Sequence, residues 1–185
     1  MRQILMRICA SALLPAGAFA CCGTWLRAQA APSCDAPEFR QFDFWAGDWD
    51  AFDAGGPRTP SARIRVERIL DGCVIKETYE GTNGAQGQSF SIFDKTRRVW
   101  HQTWVTNRGV LLIIEGTFHD GSMELKGSDL TAKGKPRLVR GIWKPETGGV
   151  RETAFTSLDN GATWTQWFDL DFRPHAEAAA AAPKH

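Results

Sequence analysis

The sequence predicts an all-β fold: an antiparallel, up-and-down β-barrel of about ten strands. Three observations carry this. Turn pairs recur along the chain at Asp71-Gly72, Asn83-Gly84, Asp120-Gly121, Gly148-Gly149 and Asn160-Gly161, with Asn107-Arg108-Gly109 between them. The runs separating these turns are short and rich in Val, Ile, Thr, Phe and Trp, the composition of strands. The links are short enough to join each strand to its neighbour, which makes a meander. A long meander removes its exposed edges by closing on itself; a two-sheet sandwich is the alternative architecture.

Taken in order, residues 31–43 lead into the barrel, with one short helical turn around Pro37 to Gln41. Strands follow near 44–52, 62–70, 73–81, 87–94, 98–106, 109–118, 121–127, 137–145, 149–157 and 163–172. The barrel domain spans 44–173. Residues 174–185 include a run of alanines with no pattern able to bury a face, and read as a disordered tail.

The amino terminus reads as a signal peptide over residues 1–30. It has a basic start, M-R-Q-I-L-M-R, a short apolar run and a small-x-small site at Ala28-Gln29-Ala30. An earlier site, Ala18-Phe19-Ala20, precedes Cys21, where a lipoprotein would carry its anchor. Ala18 stands where such a signal has a Leu-like residue. The apolar run is too short for a spanning helix, which needs roughly 20 residues. A periplasmic or secreted location follows.

Three of the 22 basic residues precede residue 31, and none of the 21 acidic residues does. The remainder is close to neutral, with no electrostatic footprint for nucleic acid or an anionic membrane. Cys9, Cys21 and Cys22 fall in the signal region, which leaves Cys34 and Cys73. In an oxidising compartment two cysteines most simply form one disulfide, here tying the N-terminal segment to the third strand. Two free thiols are the alternative. No Cys-x-x-Cys and no nearby histidine pair suggests a metal site.

Ser157 to Trp164 reads S-L-D-N-G-A-T-W. Asn160-Gly161 is a strong two-residue hairpin signal, because the favoured turn needs φ > 0 at both central positions. Asp159 accepts from backbone N–H groups further on, Ser157 and Thr163 serve the strand ends, and Trp164 packs over the turn. The spacing resembles the Asp-box of sialidases and other β-propeller proteins. A propeller needs repeats, and this chain carries one copy, so the stretch reads as a structural turn.

Phe42 to Asp50 reads F-D-F-W-A-G-D-W-D and contains Gly47-x-Trp49 on the first strand. This resembles the G-x-W of lipocalins and other calycins. The resemblance implies that Trp49 sits at the closed end of the barrel beneath a basic residue of the last strand, a place Arg173 would take. More specifically, the chain resembles a family of secreted bacterial barrels of unknown function. The motifs are F-D-F-W-A-G-D-W, D-G-C-V-I-K-E (71–77), W-H-Q-T-W-V (100–105) and S-L-D-N-G-A-T-W, and the resemblance spans nearly all of residues 34–173. It implies a fold and leaves the activity open.

Alternation along each strand separates two faces. Trp100, Gln102 and Trp104 share one face of their strand. Cys73, Ile75, Glu77 and Tyr79 share another, as do Leu138, Arg140 and Ile142, and Trp164, Gln166, Phe168, Leu170 and Phe172. These faces are expected to point inward. The expected ligand-binding set is therefore Glu77, Trp100, Gln102, Trp104, Arg140 and Gln166. A Glu77–Arg140 pair with the two glutamines forms either a structural network or the polar anchor of a ligand in an apolar pocket.

Glu152 follows Arg151 and reads as an outer-face residue, so a Glu77–Glu152 acid/base pair is not the expectation. Haem is not expected as a cofactor, since His101 has outward parity and His119 lies in a turn. The leading functional expectation is a non-enzymatic module binding a small, largely apolar ligand. An enzyme, hydrolase or isomerase, using Glu77 with Arg140 is the second. A barrel packed solid with its own side chains is the third. Nothing in the sequence sets the oligomeric state.

Overall fold

A computed structural model describes residues 34–175. The signal-peptide reading and all but the first two residues of the expected tail fall outside that range. Ten antiparallel strands close into one barrel, each paired with its neighbours in chain order and the last with the first. They are β1 (Gly47–Asp53), β2 (Ala62–Ile69), β3 (Val74–Gly81), β4 (Gln86–Asp94), β5 (Val99–Thr106), β6 (Leu111–His119), β7 (Ser122–Leu130), β8 (Pro136–Glu146), β9 (Gly149–Ser157) and β10 (Thr165–Pro174). The architecture is that of a calycin-like barrel. Asp120, Gly121, Asn160 and Gly161 all adopt positive φ, which is the backbone that Asp-Gly and Asn-Gly supply most cheaply in two-residue turns.

The segment before β1 closes one end. It holds a short helix, α1 (Pro37–Arg40), and a 3₁₀ turn (Asp43–Trp45). The turn occupies residues expected as the start of the first strand. Phe42 and Trp45 are fully buried. Phe42 packs edge-on against Trp100 and Trp143, and Trp45 packs against Phe172. This plug makes the barrel floor a continuous aromatic core. Burial of each large ring contributes on the order of 2–3 kcal/mol.

The plug is anchored as well as packed. Cys34 and Cys73 form a disulfide with Cα atoms 5.0 Å apart, so the segment is stapled to the β2–β3 turn. The Arg40 guanidinium donates to Gly72 O in the same turn. Arg98 pairs with Glu38 at 2.9 Å, and Arg68 with Asp43 at 2.9 Å.

The G-x-W pattern has a direct steric meaning. A Cβ on Gly47 would lie 2.5 Å from the Trp49 indole, so the ring lies across the glycine. The Trp49 ring stacks on Trp45 at 6.1 Å, and Trp49 Nε1 donates to Trp45 O at 3.0 Å. Arg173 does not take the expected place over this ring. Its Cα partner is Asp50, on the face opposite Trp49, and its exposed guanidinium donates to Thr147 O at 3.3 Å. The reason is strand parity: Phe172, the residue before it, fills the interior. Beyond Arg173 the chain stays on the barrel. His175 N donates to Asp48 O at 2.9 Å and His175 Nδ1 lies 2.8 Å from Asp50 Oδ1.

Candidate functional site

The interior changes character along its length. On β5 the inward residues run Trp100, Gln102, Trp104 and Thr106, and exposure rises from 1% and 4% for the first two to intermediate for the others. The barrel is packed solid at the plug and loosens toward the end carrying the β5–β6, β7–β8 and β9–β10 loops. Opposed residues of neighbouring strands share a face, so the registers assign the lining. One row runs Val66, Glu77, Ser89, Trp104, Leu112 across β2 to β6. A second runs Asp53, Leu170, Glu152, Trp143, Met123 across β1, β10, β9, β8 and β7. Tyr79, opposite Ile64 and Gly87, joins the first toward the open end.

Two glutamate carboxyls, Glu77 and Glu152, therefore face the interior, with Asp53 on the row of Glu152 at the rim. Glu77 Oε2 accepts from Ser89 Oγ at 2.8 Å. Gln102 Nε2 donates to Ser91 Oγ at 3.0 Å and lies 3.4 Å from Ser89 Oγ, so the buried amide orients the hydroxyl that serves Glu77. Burial pushes the Glu77 carboxyl up to about 7, against the pull of Ser89. Burial, and then repulsion from Glu77, push Glu152 well above the ordinary carboxylate range. The Trp143 indole N–H, on the residue opposite Glu152, opposes that rise, yet Trp143 Nε1 completes no hydrogen bond of good geometry. Both acids lie deep in the protein volume and both keep surface that water reaches. The two glutamates thus stand on the inner face beyond the packed floor, neither wholly shielded from solvent.

Aromatic rings wall this space. Tyr79 and Trp104 meet edge to face at 5.9 Å. A Cβ on Gly87 would lie 2.4 Å from the Trp104 ring, and one on Gly141 would lie 2.8 Å from the Trp143 ring. Gly87 and Gly141 thus leave the room that Trp104 and Trp143 take. Burial, and then the charges of Glu77, Asp53 and Glu152, raise the Tyr79 phenol, with Arg108 acting against them.

Three of the expected ligand-binding residues, Glu77, Gln102 and Trp104, meet on this inner wall. Trp100 also points inward but belongs to the floor, where its Nε1 donates to Gln41 Oε1 at 3.1 Å. Arg140 and Gln166 do not face the interior. On β8 the inward residues are Val139, Gly141 and Trp143, opposite Gly127, Leu125 and Met123. Arg140 lies on the outside, its guanidinium 4.9 Å from the Phe155 ring and 5.0 Å from the Trp164 ring. No Glu77–Arg140 pair exists. Gln166 pairs with Phe155 on the outer face, and a bulge between Gln166 and Phe168 resets the parity of β10. Its downstream residues Phe168, Leu170 and Phe172 face inward as expected.

Glu152, read from its neighbour Arg151 as an outer-face residue, faces the interior instead, opposite Trp143. The signal was present in the alternation of Val150, Glu152 and Ala154 against the solvated Arg151. Arg151 reaches across the outside to Asp169, Nη2 to Oδ2 at 2.6 Å. His101 lies outward, with Nδ1 2.8 Å from Glu115 Oε1 and Nε2 2.9 Å from Thr103 Oγ1.

The Ser157–Trp164 loop bonds internally. Asp159 accepts from Thr163 Oγ1 at 2.6 Å, Thr163 N at 2.9 Å and Ser157 Oγ at 2.7 Å, and Gly161 N donates to Ser157 Oγ at 2.8 Å. These bonds, Thr163 foremost, hold the Asp159 carboxyl at about 2.

No protein-family model matches the chain, and no curated protein matches it. The site therefore rests on geometry alone. Among the described residues, no helix is long and apolar enough to cross a membrane, and no group of three or more His, Cys, Asp or Glu is placed to hold a metal ion.

Proposed function

We propose that this chain is a secreted or periplasmic barrel, of the calycin-like family its motifs resemble, that binds a small, largely apolar ligand in the open half of its interior. The observation that carries this is the inner wall of Glu77, Tyr79, Trp104, Leu112, Glu152 and Leu170, none of them fully buried, above a solid aromatic floor. Apolar walls with a few convergent polar groups are the common form of a small-molecule site. The disulfide fits an oxidising compartment. Native mass spectrometry of the protein purified from its own periplasm or medium tests the reading. A retained small molecule is the expected result. A bare polypeptide mass together with no response of tryptophan fluorescence to a panel of apolar ligands would sink it.

A second reading is an enzyme using the same space, and one observation favours it. A carboxyl raised to about 7 is poised to donate or accept a proton at neutral pH. Its partner in that reading is Glu152, since Arg140 lies outside. Loss of turnover in Glu77→Gln, with ligand binding retained, distinguishes catalysis from binding.

A further inference from the structure

We propose that the ligand of this barrel is an amphiphilic organic cation, an apolar amine whose ammonium group sits between Glu77 and Glu152 and whose hydrocarbon body packs against Tyr79, Trp104 and Leu112. The inference rests on the ligand-binding reading above and names the chemistry of the ligand.

The first ground is an imbalance of donors and acceptors. Among the described residues, Glu77 and Glu152 each face a single donor, Ser89 Oγ for Glu77 and the Trp143 indole N–H for Glu152. A carboxylate accepts at about four lone-pair positions, so most of the acceptor capacity of both groups is left to whatever enters. Trp143 is only 3% exposed and its Nε1 completes no hydrogen bond. A buried N–H left this way is costly, and the acceptor that stands opposite it is the Glu152 carboxyl.

The second ground is the absence of a neutralising side chain. The inward residues of β2, β4, β5, β6 and β10 beside the pair are uncharged: Val66, Ser89, Trp104, Leu112 and Leu170 among them. Among the described strand residues, the other charges of inward parity are Asp53 at the rim of β1, itself acidic, Arg68 at the floor, held by Asp43, and the Arg137–Asp129 pair of β8 and β7, where the guanidinium is already held by Asp129. Arg108, in the β5–β6 loop, acts on the Tyr79 phenol from the mouth. Two acids kept together without a cation are tolerated only at a cost. A ligand that supplies the cation removes that cost, and the rings of Tyr79 and Trp104 favour an ammonium close by.

A metal ion answers the charge but not the geometry. Calcium takes about 6–8 oxygen ligands, and no third acidic or histidine ligand stands with the pair among the described residues. An organic ammonium needs only the two carboxylates and apolar walls.

The test compares three probes of one chain length, octylamine, 1-octanol and octanoate, by titration calorimetry against the disulfide-bonded protein at pH 8. Octylamine is expected to bind at least tenfold more tightly than octanol, with octanoate weakest. Glu152→Gln and Glu77→Gln should each remove most of the preference for octylamine over octanol. Lowering the pH from 8 to 6 should weaken octylamine severalfold and leave octanol unmoved, because a proton on Glu77 then competes with the ligand. Octanol or octanoate binding as tightly as octylamine would overturn the proposal and leave the apolar pocket standing. No binding of any probe would overturn both.

Discussion

Replacing Glu77 by glutamine tests the electrostatics of the interior directly. The side chain keeps its size and an acceptor for Ser89 Oγ, 2.8 Å away in the native protein, but it loses the ability to ionise. The native carboxyl is raised from 4.5 to about 7 by burial. A raised acid holds its proton more tightly in the folded chain than in the unfolded one. Its contribution is therefore present in full below about pH 4.5, declines as the pH rises, and is exhausted above about pH 7. A rise of this size corresponds to about 3 kcal/mol between those limits. Glu152 acts in the same direction, since part of its own rise is repulsion from Glu77. The assay is urea denaturation of native and Glu77→Gln proteins, followed by tryptophan fluorescence, at half-unit steps from pH 4.5 to 8.5. The two should be nearly equally stable at pH 4.5, and the variant should be ahead by about 3 kcal/mol at pH 8. Acids with depressed values, such as Asp48 beside Arg63, titrate alike in both proteins and drop out of the difference. A difference that stays flat across the range would refute the buried, unneutralised carboxyl and with it the site.

Four further changes probe the frame around that site. Replacing both Cys34 and Cys73 by serine opens a link across 39 residues, and chain-entropy reasoning puts the loss at about 4 kcal/mol in chemical denaturation. Asp159→Ala removes the acceptor of three bonds in the Ser157–Trp164 loop; the melting temperature should fall while octanol affinity in the folded protein stays unchanged. Arg140→Met, on the outer face between Phe155 and Trp164, should cost only about 1–2 kcal/mol, the scale of two cation–π contacts, and leave the pH profile of stability unaltered. Gly87→Ala sets a methyl 2.4 Å from the Trp104 ring; the ring must move, at about 1–3 kcal/mol, which a shift in the tryptophan emission maximum and weaker ligand binding should report.

The fold was legible because it rests on local chemistry. Most strand boundaries are set by turns whose residues tolerate positive φ and announce themselves, as Asp120-Gly121 and Asn160-Gly161 do, whereas Leu70 and Arg98 take positive φ with nothing in the sequence to mark them. The disulfide was legible for a different reason, as the simplest pairing left once the residues read as a signal peptide are set aside. The 3₁₀ turn over Asp43–Trp45 was not, because Phe42 and Trp45 look like strand residues until the barrel end they seal is known. Arg173 shows the limit of carrying a family expectation across: Trp49 is covered by Trp45, an interaction supplied by the plug of this chain itself.

The site was legible strand by strand, and its errors have physical causes. On β3 and β5 the inner face carries the bulkier and more apolar members, so Glu77, Gln102 and Trp104 could be assigned by parity alone. On β8 that rule misled, because Leu138, Arg140 and Ile142 form an outer face that is itself partly covered. The Leu138 side chain would meet a Cβ on Gly161 at 3.6 Å, so the β9–β10 loop shelters apolar residues there. The true inner face, Val139, Gly141 and Trp143, contains a glycine, which lowers its apparent hydrophobicity while making room for the tryptophan beside it. On β10 one bulge suffices to turn Gln166 outward while leaving Phe168 in, since a sheet allows only two faces and one extra residue exchanges them. Glu152 was misread because an acid between Arg151 and Thr153 resembles a solvated face. Its true neighbours are across the strands, Trp143 and Leu170, and an acid held against an indole and a leucine costs too much to be incidental packing. The residue most like a surface group in sequence is for that reason the one whose position most constrains what enters the barrel.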